Sequence, residues 1–194
     1  METKTENLCK LARQLKLTGT GGAMNDLLIN AQQKQISYLD FAFGLLNAEI
    51  EHRNQQNLTK RLHNAKLPVD HNLGMWQENH LSGISRQQLT QLRECIWLEQ
   101  NFNIILMGPS GTGKSFIAAG LCHEALLKGY KACFRTMEQL IHLLKMKDIT
   151  KSAAREYLLL LNAHLLQIFN CHKRPMCFSI LDYAPCNDRT NPVE

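Results

Sequence analysis

Eight consecutive residues, Gly108-Pro109-Ser110-Gly111-Thr112-Gly113-Lys114-Ser115, carry the clearest chemistry in this chain. They match GxxxxGK[ST] without a gap, the pattern of a loop that cradles phosphate. The residue types follow from that task. Glycines at 108, 111 and 113 permit backbone angles and close approaches that a β-carbon would block. Successive amide N–H groups from Gly111 to Ser115 can then turn inward as a concave anion site. A helix that begins there adds the positive end of its dipole. Lys114 reaches the β- and γ-phosphates of a nucleotide, and the Ser115 hydroxyl joins the shell of its Mg²⁺. A glycine-rich turn that merely joined a strand to a helix would need neither the lysine nor the hydroxyl. The expected ligand is therefore ATP with Mg²⁺, held by all eight residues.

Elements on both sides of the loop suit that role. Asn103 to Met107 (NIILM) reads as a short buried strand leading into it. Phe116, Ile117, Ala119, Gly120, Leu121, Ala125 and Leu126 follow with helical spacing, stopped by Gly129. Tyr130 to Phe134 (YKACF) reads as a second strand. Thr136 and Gln139 form a capping box that opens a helix over Met137 to Lys147, and a further helix spans Lys151 to Leu161. Strand, helix, strand, helix is the order of an α/β fold with a parallel sheet.

Hydrolysis asks for more than binding. An acid at the end of a neighbouring strand supports the metal, and further polar groups orient water and offset charge. The first candidate strand, Ala163 to Phe169 (AHLLQIF), runs into Phe169, Asn170, Cys171 and His172, with no acid. A weaker candidate, Cys177 to Leu181 (CFSIL), ends in Asp182, which stands as a second metal-supporting residue beside Ser115. Pro175, Pro185 and Pro192 crowd that region and favour a loop aspartate instead. Only 79 residues follow Ser115, enough for two or three strands, so an incomplete sheet is expected.

The first third of the chain reads as helices. Leu8, Leu11 and Leu15 share one stripe; Thr18 to Gly22 (TGTGG) breaks the pattern; a second helix covers Ala23 to Gln35. A third starts at Ser37, with Asp40 in its first turn and Leu39, Phe43, Leu46 and Ile50 on one face. Its tail is basic (Arg53, Lys60, Arg61, Lys66, with His52 and His63), and Pro68 lies just past its end. Val69 to Gly83 reads as a linker whose Met75 and Trp76 anchor on a core or flank a base. Ser85 and Gln88 form another capping box, with Leu89, Leu92 and Ile96 facing inward. The expected organisation is a helical region over 1–68, a linker over 69–84, a partial nucleotide-binding core over 85–157 and a divergent tail over 158–194.

Charge and cysteine usage bound the function classes. The 194 residues are 44% hydrophobic and carry a net charge of +5, which excludes a disordered polyelectrolyte. The excess lies at residues 128–174, which hold nine basic and three acidic residues. That stretch suits DNA, or it is a solvated helical face. Seven cysteines without a CxxC pair suit free thiols in a reducing cytoplasm. Cys171 and Cys177 with His164 and His172 match no trusted zinc spacing. Met1 to Cys9 is polar and charged, without the apolar core expected of a signal peptide, and apolar runs such as Leu158 to Leu161 are too short to cross a bilayer. A cytoplasmic, soluble protein is expected.

Three stretches together resemble one family: LKLTGTGGAM (Leu15 to Met24), SYLDFAFGLLNAEIEHRNQQNLTKRLHNAKLP (Ser37 to Pro68) and NIILMGPSGTGKSFIAAGLCHEALLKGYKACFRTMEQLI (Asn103 to Ile141). They resemble the IstB-like ATP-binding proteins, transposition helpers of bacterial insertion sequences related to the DnaC helicase loaders of the AAA+ class. The resemblance implies a helper ATPase that binds DNA, forms ATP-dependent homo-oligomers and contacts a partner transposase. It carries over residue by residue only at Gly108 to Ser115. After Arg155-Glu156-Tyr157 the family continues into an apolar strand ending in two acids, where this chain has Phe169 and Asn170. From about Leu158 onward the chain departs from the family, as a truncated or frame-shifted product would. The alternatives are a non-enzymatic module that contacts DNA or transposase through its helical leader, or a relative of the DnaC-like helicase loaders.

Overall fold

The computed structural model describes residues 3–76, 83–109 and 111–169, and the backbone of 177–180. The chain divides into two compact units, Met1–Thr59 and Lys60–Glu194.

The first unit holds α1 (Lys4–Gln14), α2 (Thr18–Lys34) and most of α3 (Tyr38–Ala65). Thr3 and Glu6 close a capping box on α1. Ser37 accepts the Asp40 N–H at 3.1 Å, the expected start of α3. The expectation that Thr18–Gly22 interrupts the helices is wrong: α2 begins at Thr18 and contains all three glycines. Two contacts explain it. Leu17 gives α2 no side-chain cap, and the Glu49 carboxylate of α3 supplies one, accepting Gly19 N–H at 2.8 Å and Thr20 N–H at 3.1 Å. Gly19 also packs hard on α3, where a Cβ would lie 2.4 Å from His52 Cβ and 2.8 Å from the Ala48 carbonyl. The glycine serves helix approach, not a turn.

The same close packing corrects the expected apolar faces. Leu11, Leu15, Leu39 and Phe43 are exposed, while Ala12, Gly19, Thr20, Met24 and Glu49 are buried. Small residues let these helices approach, so the buried stripe is not the most hydrophobic one.

Glu49 makes this unit sensitive to acid. The Arg53 hydrogen bond at 2.7 Å lowers its pKa; burial opposes this, and the Thr20 and Gly19 amides reinforce it. The folded value is below the ordinary 4.5, so its stabilisation is full above that pH and is lost as pH falls through the lower folded value. In urea melts followed by helical circular dichroism, Glu49→Gln is expected to destabilise at pH 7, and the gap from the natural sequence should close on acidification. A gap independent of pH would assign the effect to shape rather than charge.

The second unit is an α/β structure. Its strands are β1 (Ile105–Leu106), β2 (Ala132–Thr136), β3 (Leu165–Phe169) and β4 (Cys177–Ile180), in the sheet order β1-β4-β3-β2. β2 and β3 run parallel, with Ala132 opposite Leu165 and Thr136 opposite Phe169. The crossover between them contains α7 (Met137–Met146) and α8 (Lys151–Leu161), as a parallel pair requires. The α/β expectation holds. β4 pairs antiparallel with both β1 and β3, an arrangement the spacing of apolar runs does not specify.

Helix α6 (Lys114–Leu127) packs on β2 and β3, and its Cys122, Ala125 and Leu126 join Trp97, Leu98, Ala132 and Leu165 in the main core. Several expectations shift here. Strand β1 has two residues, not five, and Ile105 and Met107 are exposed. Strand β2 starts at Ala132; Tyr130 instead packs edge-on against His164. The helix opened by Ser85 is α4 (Arg86–Arg93), and left-handed Cys95 (φ 61°) separates it from α5 (Ile96–Glu99). That break turns Ile96 outward and buries Trp97 and Leu98. In the linker, Leu73 is the buried anchor and Met75 is exposed, while Trp76 is partly buried against the cluster of Leu73, Leu89, Ile117 and Leu121.

Candidate phosphate-binding site

The chain leaves β1 at Leu106 and enters α6 at Lys114, so residues 107–113 form the connection. Gly111 (φ 85°) and Gly113 (φ 78°) adopt the left-handed backbone that glycine favours. A Cβ at either would meet nothing within 4 Å, so backbone angle rather than crowding requires glycine there. The Gly113 carbonyl accepts Ile117 N–H at 2.9 Å and starts the α6 ladder. The Lys114, Ser115 and Phe116 amides precede that first bond and have no intrahelical acceptor.

Lys114 is only 8% exposed. Its ammonium donates to the Pro109 carbonyl and to Thr112 Oγ1 at 3.2 Å, and the Thr112 hydroxyl donates to the same Pro109 carbonyl at 3.0 Å. No carboxylate among the described residues lies within ion-pair distance of it. A buried cation beside two neutral oxygens, at the positive end of a 14-residue helix, is a site with surplus positive charge.

Two cavities border the loop. One of about 440 Å³ is lined by Gly111, Gly113, Lys114, Ser115 and Phe116 together with Pro68, Asp70 and Phe169. The other, about 430 Å³, shares Thr112 and Lys114 and is walled by Ile84, Leu92, Leu106 and Ile117 with the amides of Gln88 and Gln91. Both are the size of small-molecule sites. The donors fit Mg²⁺ with a triphosphate: the Ser115 hydroxyl and a carboxylate are hard oxygen ligands, and the loop provides the anion cradle.

The structure brings Gly111, Thr112, Gly113, Lys114 and Ser115 to these cavities. Ser110 and Asp182 lie outside the described residues, as do Asn170, Cys171 and His172. Strand β3 delivers Phe169, and no acid, to the cavity. Asp70, to which sequence reasoning gave no role, lines the same cavity from a linker without periodicity. His164 is structural: its Nδ1 accepts Lys131 N–H at 3.1 Å, and burial, with the Lys131 charge, lowers its pKa. No cluster of three or more metal-binding side chains occurs among the described residues.

Much of the basic content is committed internally. Arg53 pairs with Glu49 at 2.7 Å, Lys66 with Glu156 at 2.6 Å, Arg135 with Glu156 at 3.0 Å and Arg93 with Glu124 at 2.6 Å. Lys147 lies over the Tyr157 ring at 4.7 Å. Lys145, Lys151 and Arg155 make no ion pair among the described residues. No described helix is long and apolar enough to cross a membrane.

The chain is similar to known proteins over most of its length. The family model described as IstB-like ATP binding protein matches residues 10–176. The chain is 37% identical over 163 residues to an insertion sequence IS21-like putative ATP-binding protein of Bacteroides fragilis, covering 84% of this chain and 62% of that protein. A second such protein, from Bacteroides fragilis strain YCH46, is also 37% identical over 163 residues, with 84% of this chain and 82% of that protein covered. An insertion sequence IS21 putative ATP-binding protein of Pseudomonas aeruginosa is 30% identical over 131 residues, with 68% and 49% covered. The chain thus spans less than two thirds of the first and third of these relatives. On the extent of that match and the loop that it includes, the chain belongs to the family of IstB-like ATP-binding proteins.

Proposed function

We propose that the chain binds Mg·ATP on residues 108–115 and acts as a nucleotide-dependent helper to the transposase of an insertion sequence. One observation carries the reading: the buried Lys114 ammonium, without a countercharge, at the N-terminus of α6. The β- and γ-phosphates compensate that charge. Ser115 enters the metal shell, and Mg²⁺ when bound neutralises phosphate charge. The base lies in the neighbouring cavity, against Ile84 and Leu92 and within reach of the Gln91 amide. DNA contact and ATP-dependent self-association in the cytoplasm belong to the same proposal, with Lys145, Lys151 and Arg155 supplying positive charge for phosphate backbone.

Turnover is expected to be slow. Phe169 at the end of β3 can neither hold a metal's water nor orient a nucleophile. Calorimetry on the full chain tests the proposal. Mg·ATP is expected to bind and raise the melting temperature, and AMP, which lacks the β- and γ-phosphates, to bind far more weakly. No heat and no thermal shift with millimolar Mg·ATP on folded protein would end the reading. Steady hydrolysis at the rate of a full-length relative would end its slow-turnover part.

A further inference from the structure

We propose that Asp70 is the residue that makes nucleotide binding depend on Mg²⁺, its carboxylate holding the hydrated metal at the phosphate loop. The inference rests on the Mg·ATP reading above and extends it to a part of the chain with no strand or loop motif.

Asp70 lines the same cavity as Gly111, Gly113, Lys114 and Ser115, and it is the acidic side chain among that cavity's described walls. Phe169, at the end of β3, lines the same cavity and offers no ligand atom. Asp70 is exposed and has no hydrogen-bond or ion-pair partner among the described residues, although Lys114 borders the same space. The carboxylate is therefore uncommitted.

The backbone that carries it is not loosely held. Leu67 packs on the main core just before it. His71 donates from Nδ1–H to the Pro68 carbonyl at 2.7 Å, and its ring lies 4.6 Å from that of His123 on α6. Leu73 is 5% exposed and sits so close over Gly120 that a Cβ there would come within 2.3 Å of Leu73 Cγ. The segment is thus pinned to α6, the same helix whose first turn presents Lys114 and Ser115.

Charge then gives the sign of the effect. A carboxylate in a phosphate cavity repels a bare triphosphate and attracts a bound divalent cation. Mg²⁺ keeps several waters and is held through one or two carboxylates plus phosphates, so an acid placed across the cavity acts through that water shell. Asp70 lowers affinity for metal-free ATP and raises it for Mg·ATP, and its contribution is a coupling between the two ligands.

The test is a calorimetric titration of ATP into full-length natural and Asp70→Asn proteins, once with EDTA and once with millimolar Mg²⁺. The readout is the ratio of the two affinities. In Asp70→Asn the affinity for metal-free ATP is expected to rise and the Mg²⁺-dependent gain to fall, lowering the ratio by about tenfold. Asp70→Glu keeps the charge and should keep most of the ratio. An unchanged ratio in Asp70→Asn, in protein that still binds ATP, overturns the assignment of Asp70 and leaves the ATP reading standing. Equal loss in Asp70→Asn and Asp70→Glu overturns it as well, because a structural role explains that result. Absence of ATP binding by the natural sequence in both buffers overturns both.

Discussion

Lys114→Ala is expected to lower Mg·ATP affinity at least about 100-fold without unfolding the protein. The ammonium is the buried cation of the loop, and a charge-assisted hydrogen bond is worth about 1.5–3 kcal/mol. Contacts to two phosphates then sum to about 3–6 kcal/mol, and each 1.4 kcal/mol is a factor of ten. Stability should survive because nothing is orphaned. The two acceptors of Lys114, the Pro109 carbonyl and Thr112 Oγ1, already bond to each other at 3.0 Å. Removing an ammonium with no ion pair also removes its desolvation cost. Calorimetry with Mg·ATP and a melting curve without nucleotide check the two halves separately. Unchanged affinity would mean that the loop is not the nucleotide site. A large drop in melting temperature would mean that Lys114 is a structural residue.

Arg135→Leu is expected to destabilise the second unit by about 3–5 kcal/mol, the usual cost of breaking a buried charged network. Arg135 lies on β2 at 2% exposure. One Nη donates to the Ala65 carbonyl at 2.9 Å and the Phe134 carbonyl at 2.7 Å, and the other to the Asn64 carbonyl at 3.1 Å. Asn64 and Ala65 end α3, where carbonyls lack helical partners and the dipole is negative. The guanidinium therefore caps the helix from the strand and places its cation where the dipole favours one. Its Nε donates to Glu156 at 3.0 Å, which Lys66 also contacts at 2.6 Å. Burial opposes ionisation of Glu156, but Lys66 and Arg135 outweigh it and hold the carboxyl below its ordinary range. Arg135→Lys should recover little, since one ammonium cannot replace the fork. Both tryptophans, Trp76 and Trp97, belong to the second unit, so their fluorescence in guanidinium melts reports that unit alone. A loss under about 1 kcal/mol would mean that the cap carries no more than a surface pair.

What could be read in advance shares one property: its partners are close in the chain. The capping boxes at Ser85/Gln88 and Thr136/Gln139 join residues three apart, and both form. The strand–loop–helix order around Gly108–Ser115, the helices α7 and α8, and the strand over Leu165–Phe169 follow from local spacing and appear close to their expected places. The loop's glycines announce its backbone because φ is a property of a single residue. What could not be read needs a partner far along the chain. Glu49 caps α2 from about 30 residues away and turns an apparent breaker into a helix start. Gly19 is required by His52 and Ala48, not by its neighbours.

By itself the sequence determined the family, the α/β class, the anion-binding loop and the helices, because repeated apolar spacing, glycine and capping residues act over a few positions. Tertiary structure alone decided which helix faces are buried, that β4 runs antiparallel between β1 and β3, that Arg135 closes the end of α3, and that the linker's Asp70 and the last residue of β3, Phe169, line one cavity with the phosphate loop. These depend on shape matching and on charge placed between distant segments, which carry no periodicity along the chain.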